Sequence, residues 1–323
     1  MKLLVVSPSR LHLGFYSIFS DDLVYGSIGV AIDNPNTRIM ISKSKELKLI
    51  NKSSTGIEEL VKFVLDKLGI YNLSIEVLEV IPRHIGLGST TQFTLSLGYG
   101  ISKLLDLGYS IRELAFKLER GWVSGIGIAA FEGGGFILDS GREVVDGKVK
   151  GIGSIDDLPR VLYRKKIPRS WTFIVATPTG IKGLDEREER KYLETPEPNP
   201  EIEKKLHKTV LTEMLPALAR NDIVKFGLAM TKVQLLTGEY FSKFQGGVFC
   251  CEETEFMINK FLEYGAYGAG QSSWGPTCYA LVDSTYKARK ILEKLKRDTF
   301  HKGIDMKVYI SKVCNRGIKT ANV

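Results

Sequence analysis

The segment from Ile81 to Gln92, IPRHIGLGSTTQ, constrains this chain more than any other. Before it, Leu73, Ile75 and Val77 alternate with Ser74 and Glu76, the pattern of a half-buried strand. After it, residues from Ser89 to about Leu105 form a weakly amphipathic helix. The turn between them must be tight, and Gly86 and Gly88 supply the backbone freedom it needs. A strand that turns through glycines into a helix leaves unpaired N–H groups at the positive helix end, where an anion can bind. Ser89, Thr90, Thr91 and Gln92 add side-chain donors, and Arg83 and His84 place cations just upstream. A plain strand-to-helix turn with a serine cap fits the same residues. The lysine of a Walker loop and the third glycine of a dinucleotide fingerprint are both missing.

Two further segments have a comparable character. SPSRLHLGF, residues 7–15, follows an opening strand at 2–6. On an extended chain Arg10 and His12 share one face, while Leu11 and Leu13 share the other. GAGQSSWGPTCYAL, residues 268–281, is a glycine-rich turn entering a strand; it carries Gln271, Ser272, Ser273 and Trp274.

The remaining pattern mixes strands and helices without regular alternation, which argues for α+β rather than a doubly wound sheet. A second strand is expected at 37–42. Thr55 and Glu58 form a candidate capping box for a helix reaching Leu68, and Ser110 and Glu113 form another. Beyond a basic stretch at 163–169, a strand is expected at 171–177. Helices follow at 201–219, 222–236, 253–264 and 285–297, and strands at 277–283 and 306–312. The net charge of +8 favours anionic partners, but the basic residues are dispersed, with no stripe suited to nucleic acid. Cys250, Cys251, Cys278 and Cys314 lack metal-ligand spacing and read as reduced thiols. No apolar run reaches the length of a membrane span or a signal-peptide core, so a cytoplasmic protein is expected.

Together the three segments resemble the GHMP kinase superfamily, with its N-terminal motif, central Pro-x-x-x-Gly-Leu-Gly-Ser phosphate loop and C-terminal glycine-rich motif. The resemblance implies a GHMP-kinase fold with two domains. Residues 1–165 would form an α+β domain with a ribosomal-protein-like, left-handed βαβ unit, and 166–323 a ferredoxin-like domain. In the stretch RGWVSGIGIAAFEGGGF, residues 120–136, Gly127 stands where such kinases commonly carry an aspartate. Glycine cannot orient or deprotonate a hydroxyl, although Glu132 lies nearby. The set SPSRLHLGF, HIGLGSTTQ, RGWVSGIGIAAFEGGGFILDSG and GQSSWGPT more narrowly resembles the archaeal β-ribofuranosylaminobenzene 5′-phosphate synthase family, a non-kinase branch. An ATP-dependent small-molecule kinase is the alternative.

That narrower resemblance implies a transferase joining phosphoribosyl pyrophosphate to 4-aminobenzoate or 4-hydroxybenzoate, with release of pyrophosphate and carbon dioxide, toward methanopterin-type pterins. Partners would be these small molecules and a second copy in a homodimer, not nucleic acid or membrane. Gly86, Leu87, Gly88, Ser89, Thr90, Thr91 and Gln92 would form the phosphate loop. Arg10, His12, Arg83 and Arg120 are the candidate catalytic cations, arginine suiting a carboxylate through paired hydrogen bonds. Ser124, Gly125 and Gly127 would shape the pocket floor, and Gln271, Ser272, Ser273 and Trp274 would close over the substrate. Mg²⁺ is expected with pyrophosphate as its main ligand. The acidic run Asp185, Glu186, Glu188 and Glu189 reads first as a solvated helix face.

Overall fold

A long antiparallel hairpin organises the computed structural model, which describes residues 2–183 and 186–323, the side chains of 186–188 excepted. β1 (Lys2–Ser20) and β2 (Leu23–Lys43) pair along almost their whole length. Alternation in the sequence reveals only the parts at 2–6 and 37–42. Between them the register shifts at Pro8/Ser9, His12/Gly14 and Phe15/Ser17. Each shift resets the two-residue period by which a strand is recognised.

β3 (Lys48–Asn51), α1 (Glu58–Leu68) and β4 (Leu73–Glu79) form a βαβ unit with parallel strands. Thr55 does not cap α1. The cap position is Ile57, whose amide donates to the Glu58 carboxylate instead. α2 (Ser89–Leu105), α3 (Ile111–Lys117) and α4 (Ile126–Gly133) follow, and the capping box at Ser110 and Glu113 is present. β5 (Phe136–Asp139), β6 (Arg142–Val145), β7 (Lys148–Val149) and β8 (Val161–Lys165) complete this part of the first sheet.

The second sheet is built on β9 (Thr172–Pro178), buried along its entire length. After it come α5 (Glu186–Leu193), α6 (Pro200–Lys208), α7 (Leu215–Ala219), α8 (Ile223–Gln245) and α9 (Glu252–Glu263). β10 (Gly268–Gln271), β11 (Cys278–Val282), α10 (Thr285–His301) and β12 (Met306–Lys312) follow. The strand order is β10-β11-β9-β12, antiparallel throughout. β13 (Lys319–Asn322) returns to the first sheet and pairs with β1. The single helix expected at 201–219 is instead α6 and α7 joined by a π-helical turn at 209–214. Pro216 lies in the first turn of α7, where its missing N–H breaks the regular ladder. α8 runs beyond residue 236 to a left-handed Gly246.

Helix α6 is tied to β1 by one buried carboxylate. Glu203 accepts hydrogen bonds from the Ser17 hydroxyl at 2.6 Å and from the amides of Ile18 at 2.8 Å and Phe19 at 3.3 Å. This holds the far end of the hairpin against the helical layer. Replacing Glu203 with alanine leaves these donors without their acceptor. It should lower the unfolding free energy by about 3 kcal/mol, read from the urea midpoint followed by circular dichroism.

Candidate active site

The glycine turn is fixed by contacts that only glycine permits. Gly86 has φ +86°, and a Cβ there would lie 2.1 Å from the Ser272 carbonyl oxygen. The Gly86 carbonyl accepts from Arg10 Nη1 at 2.5 Å and from the Ser272 hydroxyl at 2.6 Å. The Ser272 oxygen in turn accepts from the His12 amide at 3.0 Å, and the Arg10 amide donates to the Leu87 carbonyl at 3.2 Å. The three segments singled out in the sequence therefore meet at one carbonyl.

Beside this junction lies a cleft with about 1020 Å³ of empty space, open solvent included. Arg10, His12, Thr91, Ser124, Gly127, Gln271, Ser273 and Trp274 line it. Leu11 and Leu13 point away into the core, as the alternation requires. Other predicted residues stand behind the wall. Leu87, Ser89, Gln92 and Ser272 are buried, and Gln92 Nε2 donates to the Gly127 carbonyl at 2.8 Å. A Cβ at Gly88 would come within 3.1 Å of the Arg10 side chain. Gly86, Gly88, Thr90 and Gly125 are likewise not among the lining residues. Neither Arg83 nor Arg120 lines the cleft: Arg83 Nη1 donates to the Gly56 carbonyl at 3.2 Å, and buried Arg120 donates through Nε to the Leu118 carbonyl at 2.9 Å. Of the acidic run, Glu189 lines the cleft, Asp185 falls outside the described residues, and the side chains of Glu186 and Glu188 are not described.

The floor is set by Asp139 at the end of β5. Its fully buried carboxylate accepts from the amides of Ser27 at 2.9 Å, Gly141 at 3.0 Å and Gly125 at 2.6 Å, and from the Ser124 hydroxyl at 3.1 Å. Burial pushes this carboxyl up to about 6, against the pull of those four donors. One wall is aromatic: Phe15 lies 5.7 Å from Phe241, and Trp274 meets Phe241 edge-on at 4.9 Å. Tyr192 stacks on Trp274 at 6.1 Å, so one side of the indole is already occupied. Gln234 accepts from the Gln271 amide at 2.7 Å, which arranges uncharged amides beside the rings.

His12 is neutral. Burial, reinforced by the Arg10 charge, lowers its pKa to about 3. The Gly14 amide donates to His12 Nδ1 at 3.3 Å, so the ring proton resides on Nε2, a donor for a bound group. Charge in the cleft comes from Arg10 and Arg190, with Glu119 and Glu189 opposing it. Glu119 is engaged by Lys67 at 2.5 Å, which holds its carboxyl below the usual range.

Two family descriptions match the chain: GHMP kinases N terminal domain over residues 56–135 and GHMP kinases C terminal over 214–302. It is similar to the β-ribofuranosylphenol 5′-phosphate synthase of Methanocaldococcus jannaschii, 32% identical over 98% of this chain and 99% of that protein. That of Archaeoglobus fulgidus is 30% identical over 97% of both. The chain belongs to the β-ribofuranosylphenol 5′-phosphate synthase family. It is an enzyme of the pentosyltransferase class. Its fold is that of the GHMP kinases: a homoserine kinase from Cytophaga hutchinsonii superposes with a TM-score of 0.69 at 21% identity, covering 99% of this chain and 97% of that one.

Among the residues that line the cleft, Phe15, Trp122, Arg190, Gln234, Thr237 and Phe241 were not singled out in the sequence. Phe15 and Trp122 fall within the quoted motifs, where the polar neighbours drew attention. Gln234, Thr237 and Phe241 sit on α8, and nothing local separates them from ordinary core positions. Arg190 is hidden within a charged helix; its guanidinium lies 4.9 Å from the centre of the Trp122 ring.

Neutral His12 has a signed consequence. Its folded pKa lies below the unfolded value of 6.5, so its contribution to stability is complete above pH 6.5 and is lost as acidification proceeds toward pH 3. Nitrogen shifts of this ring should stay those of the neutral Nε2–H tautomer from pH 8 to 5. His12→Gln should lose less stability than the parent over the fall from pH 6.5 to 4, by urea titration at each pH.

Proposed function

We propose that this enzyme transfers the 5-phosphoribosyl group of phosphoribosyl pyrophosphate to the carboxylate-bearing ring carbon of 4-hydroxybenzoate. Pyrophosphate and carbon dioxide leave, and a β-ribofuranosylphenol 5′-phosphate is formed. The observation that carries the reading is a single cleft with Arg10 and the His12 N–H near an aromatic, uncharged wall of Phe15, Phe241 and Trp274. The phenol in the relatives' names favours the hydroxy acid over 4-aminobenzoate.

The bond from the anomeric carbon to pyrophosphate breaks as the new carbon–carbon bond forms. Positive charge develops on the sugar and negative charge on the leaving group. Arg10 and the α2 N-terminus, with Thr91 in its first turn, would meet that negative charge. The para hydroxyl raises electron density at the attacked ring carbon. Scission of the carbon–carboxylate bond then returns an electron pair to the ring, so no side chain has to remove a proton from carbon. Among the described residues no cluster of three His, Cys, Asp or Glu could hold a metal ion. Mg²⁺ would be carried mainly by pyrophosphate oxygens, with Glu189 or Glu119 as the carboxylates at hand, and would neutralise leaving-group charge.

Incubation with phosphoribosyl pyrophosphate, Mg²⁺ and carboxyl-labelled 4-hydroxybenzoate should release labelled carbon dioxide and pyrophosphate in equal amounts. ADP formation from ATP and a metabolite alcohol, without decarboxylation, would overturn the reading in favour of a kinase. Arg10→Ala should lower turnover roughly 10²-fold, with Arg10→Lys recovering part of the loss and both folding normally by circular dichroism.

A further inference from the structure

Cys250 and Cys251 lie outside the chemistry just described, yet they are arranged for a chemistry of their own. Their sulfurs are 3.5 Å apart, and both residues are partly exposed. The other thiols differ: Cys278 is fully buried and donates to the Ala176 carbonyl, while Cys314 points toward the Gly317 carbonyl. Cys251 occupies the cap position of α9, at the positive end of a helix of 12 residues. The Cys250 S–H donates to the Cys251 sulfur, which draws the Cys251 thiol below its usual range and holds Cys250 above it. Thr254 Oγ1 lies 3.2 Å from the Cys251 sulfur, and its own proton goes to the Pro276 carbonyl at 2.7 Å.

The pair is also wired to the cleft. The Cys250 amide donates to Gln271 Oε1 at 2.7 Å, and Gln271 Nε2 donates to the Ser273 carbonyl at 2.9 Å and to Gln245 Oε1 at 3.3 Å. Gln245, Phe249, Gln271 and Ser273 all line the cleft. The Cys250 sulfur is 3.7 Å from the carbonyl of Gly275, whose Cα is packed against the glycine turn.

We infer that Cys250–Cys251 is a modification site, a vicinal dithiol that a peroxide closes to a disulfide, and that closure loosens the Gln271 corner of the cleft. The Cys251 thiolate attacks one peroxide oxygen; the O–O bond breaks, and hydroxide leaves and takes up a proton, giving a sulfenic acid and water. The Cys250 sulfur then displaces the sulfenic oxygen; the S–S bond forms, the S–O bond breaks, and the thiol proton departs with the second water. Two thiols are oxidised and one peroxide is reduced. Adjacent Cα atoms across a trans peptide are held about 3.8 Å apart, less than the roughly 4.4–6.8 Å that disulfides span. Ring closure therefore has to move the backbone at 250–251, and the Cys250 amide is what holds Gln271.

The reduced full-length chain is treated with hydrogen peroxide and examined by mass spectrometry and amide hydrogen exchange. Expected is loss of two hydrogens from the peptide containing both cysteines, reversed by dithiothreitol. Faster exchange should follow over residues 268–275. Cys250→Ser should give a sulfenic acid on Cys251 and no such loss. Phenylarsine oxide, which bridges neighbouring thiols, should bind the parent protein one to one and neither Cys250→Ser nor Cys251→Ser. Oxidation of Cys314 first, or of one member of the pair while its neighbour stays alkylatable, would refute the site. Disulfide formation with unchanged exchange at 268–275 would refute its coupling to the cleft.

Discussion

The Gly86 carbonyl is the point on which the cleft depends. Two donors from distant parts of the chain converge on it: Arg10 from β1 and Ser272 from the turn after β10. β1 belongs to the first sheet and β10 to the second, so this oxygen couples the two sheets through the turn that opens α2. The geometry is exacting because the backbones approach within contact distance. A side chain at Gly86 would collide with the Ser272 carbonyl, and one at Gly275 would collide with Ile85. Since Ser272 also receives the His12 amide, the position of the His12 ring follows from the same junction.

That junction separates two electrostatic environments. On one side stand Arg10 and the start of α2, suited to phosphate oxygens. On the other, rings and amides predominate, and the imidazole among them is uncharged because burial beside Arg10 makes protonation costly. A neutral donor can orient an oxygen without adding a second positive charge beside Arg10. Asp139 acts from below as an acceptor: satisfied by four donors, it anchors Ser124 and Gly125 and leaves the Ser124 oxygen to accept the Ile126 amide.

How much of this was legible depended on whether the signal was local. The glycine turn, the Arg10/His12 face and the Ser110 capping box are written in short stretches, and each stands where its pattern places it. The hairpin was half hidden because bulges at Pro8, His12 and Phe15 interrupt its alternation. Arg83 and Arg120 are arginines beside glycine-containing motifs, as Arg10 is, yet Arg83 reaches the distant Gly56 carbonyl and Arg120 folds back on the Leu118 carbonyl two residues earlier, and composition alone reveals neither contact. Phe241 and Gln234 were invisible for the opposite reason. A cleft wall and a core face have the same helical periodicity, so α8 reads as packing throughout.

Gly127 joins the fold to its chemistry. Gly127 stands where the resemblance of the sequence to GHMP kinases leads to the expectation of an aspartate. Here the start of α4 is packed against the start of α2: a Cβ at Gly127 would lie 3.2 Å from Thr91 Cγ2, and the Gly127 carbonyl is held by Gln92. The backbone on either side is pinned as well, by Asp139 at Gly125 and by the burial of Ile126 and Ile128. A carboxylate side chain would have to displace Thr91 or project into the cleft, adding negative charge beside Glu119 and Glu189. Glycine avoids both costs. The reaction proposed above would need no base at that position, because departing carbon dioxide would leave its electron pair on the ring.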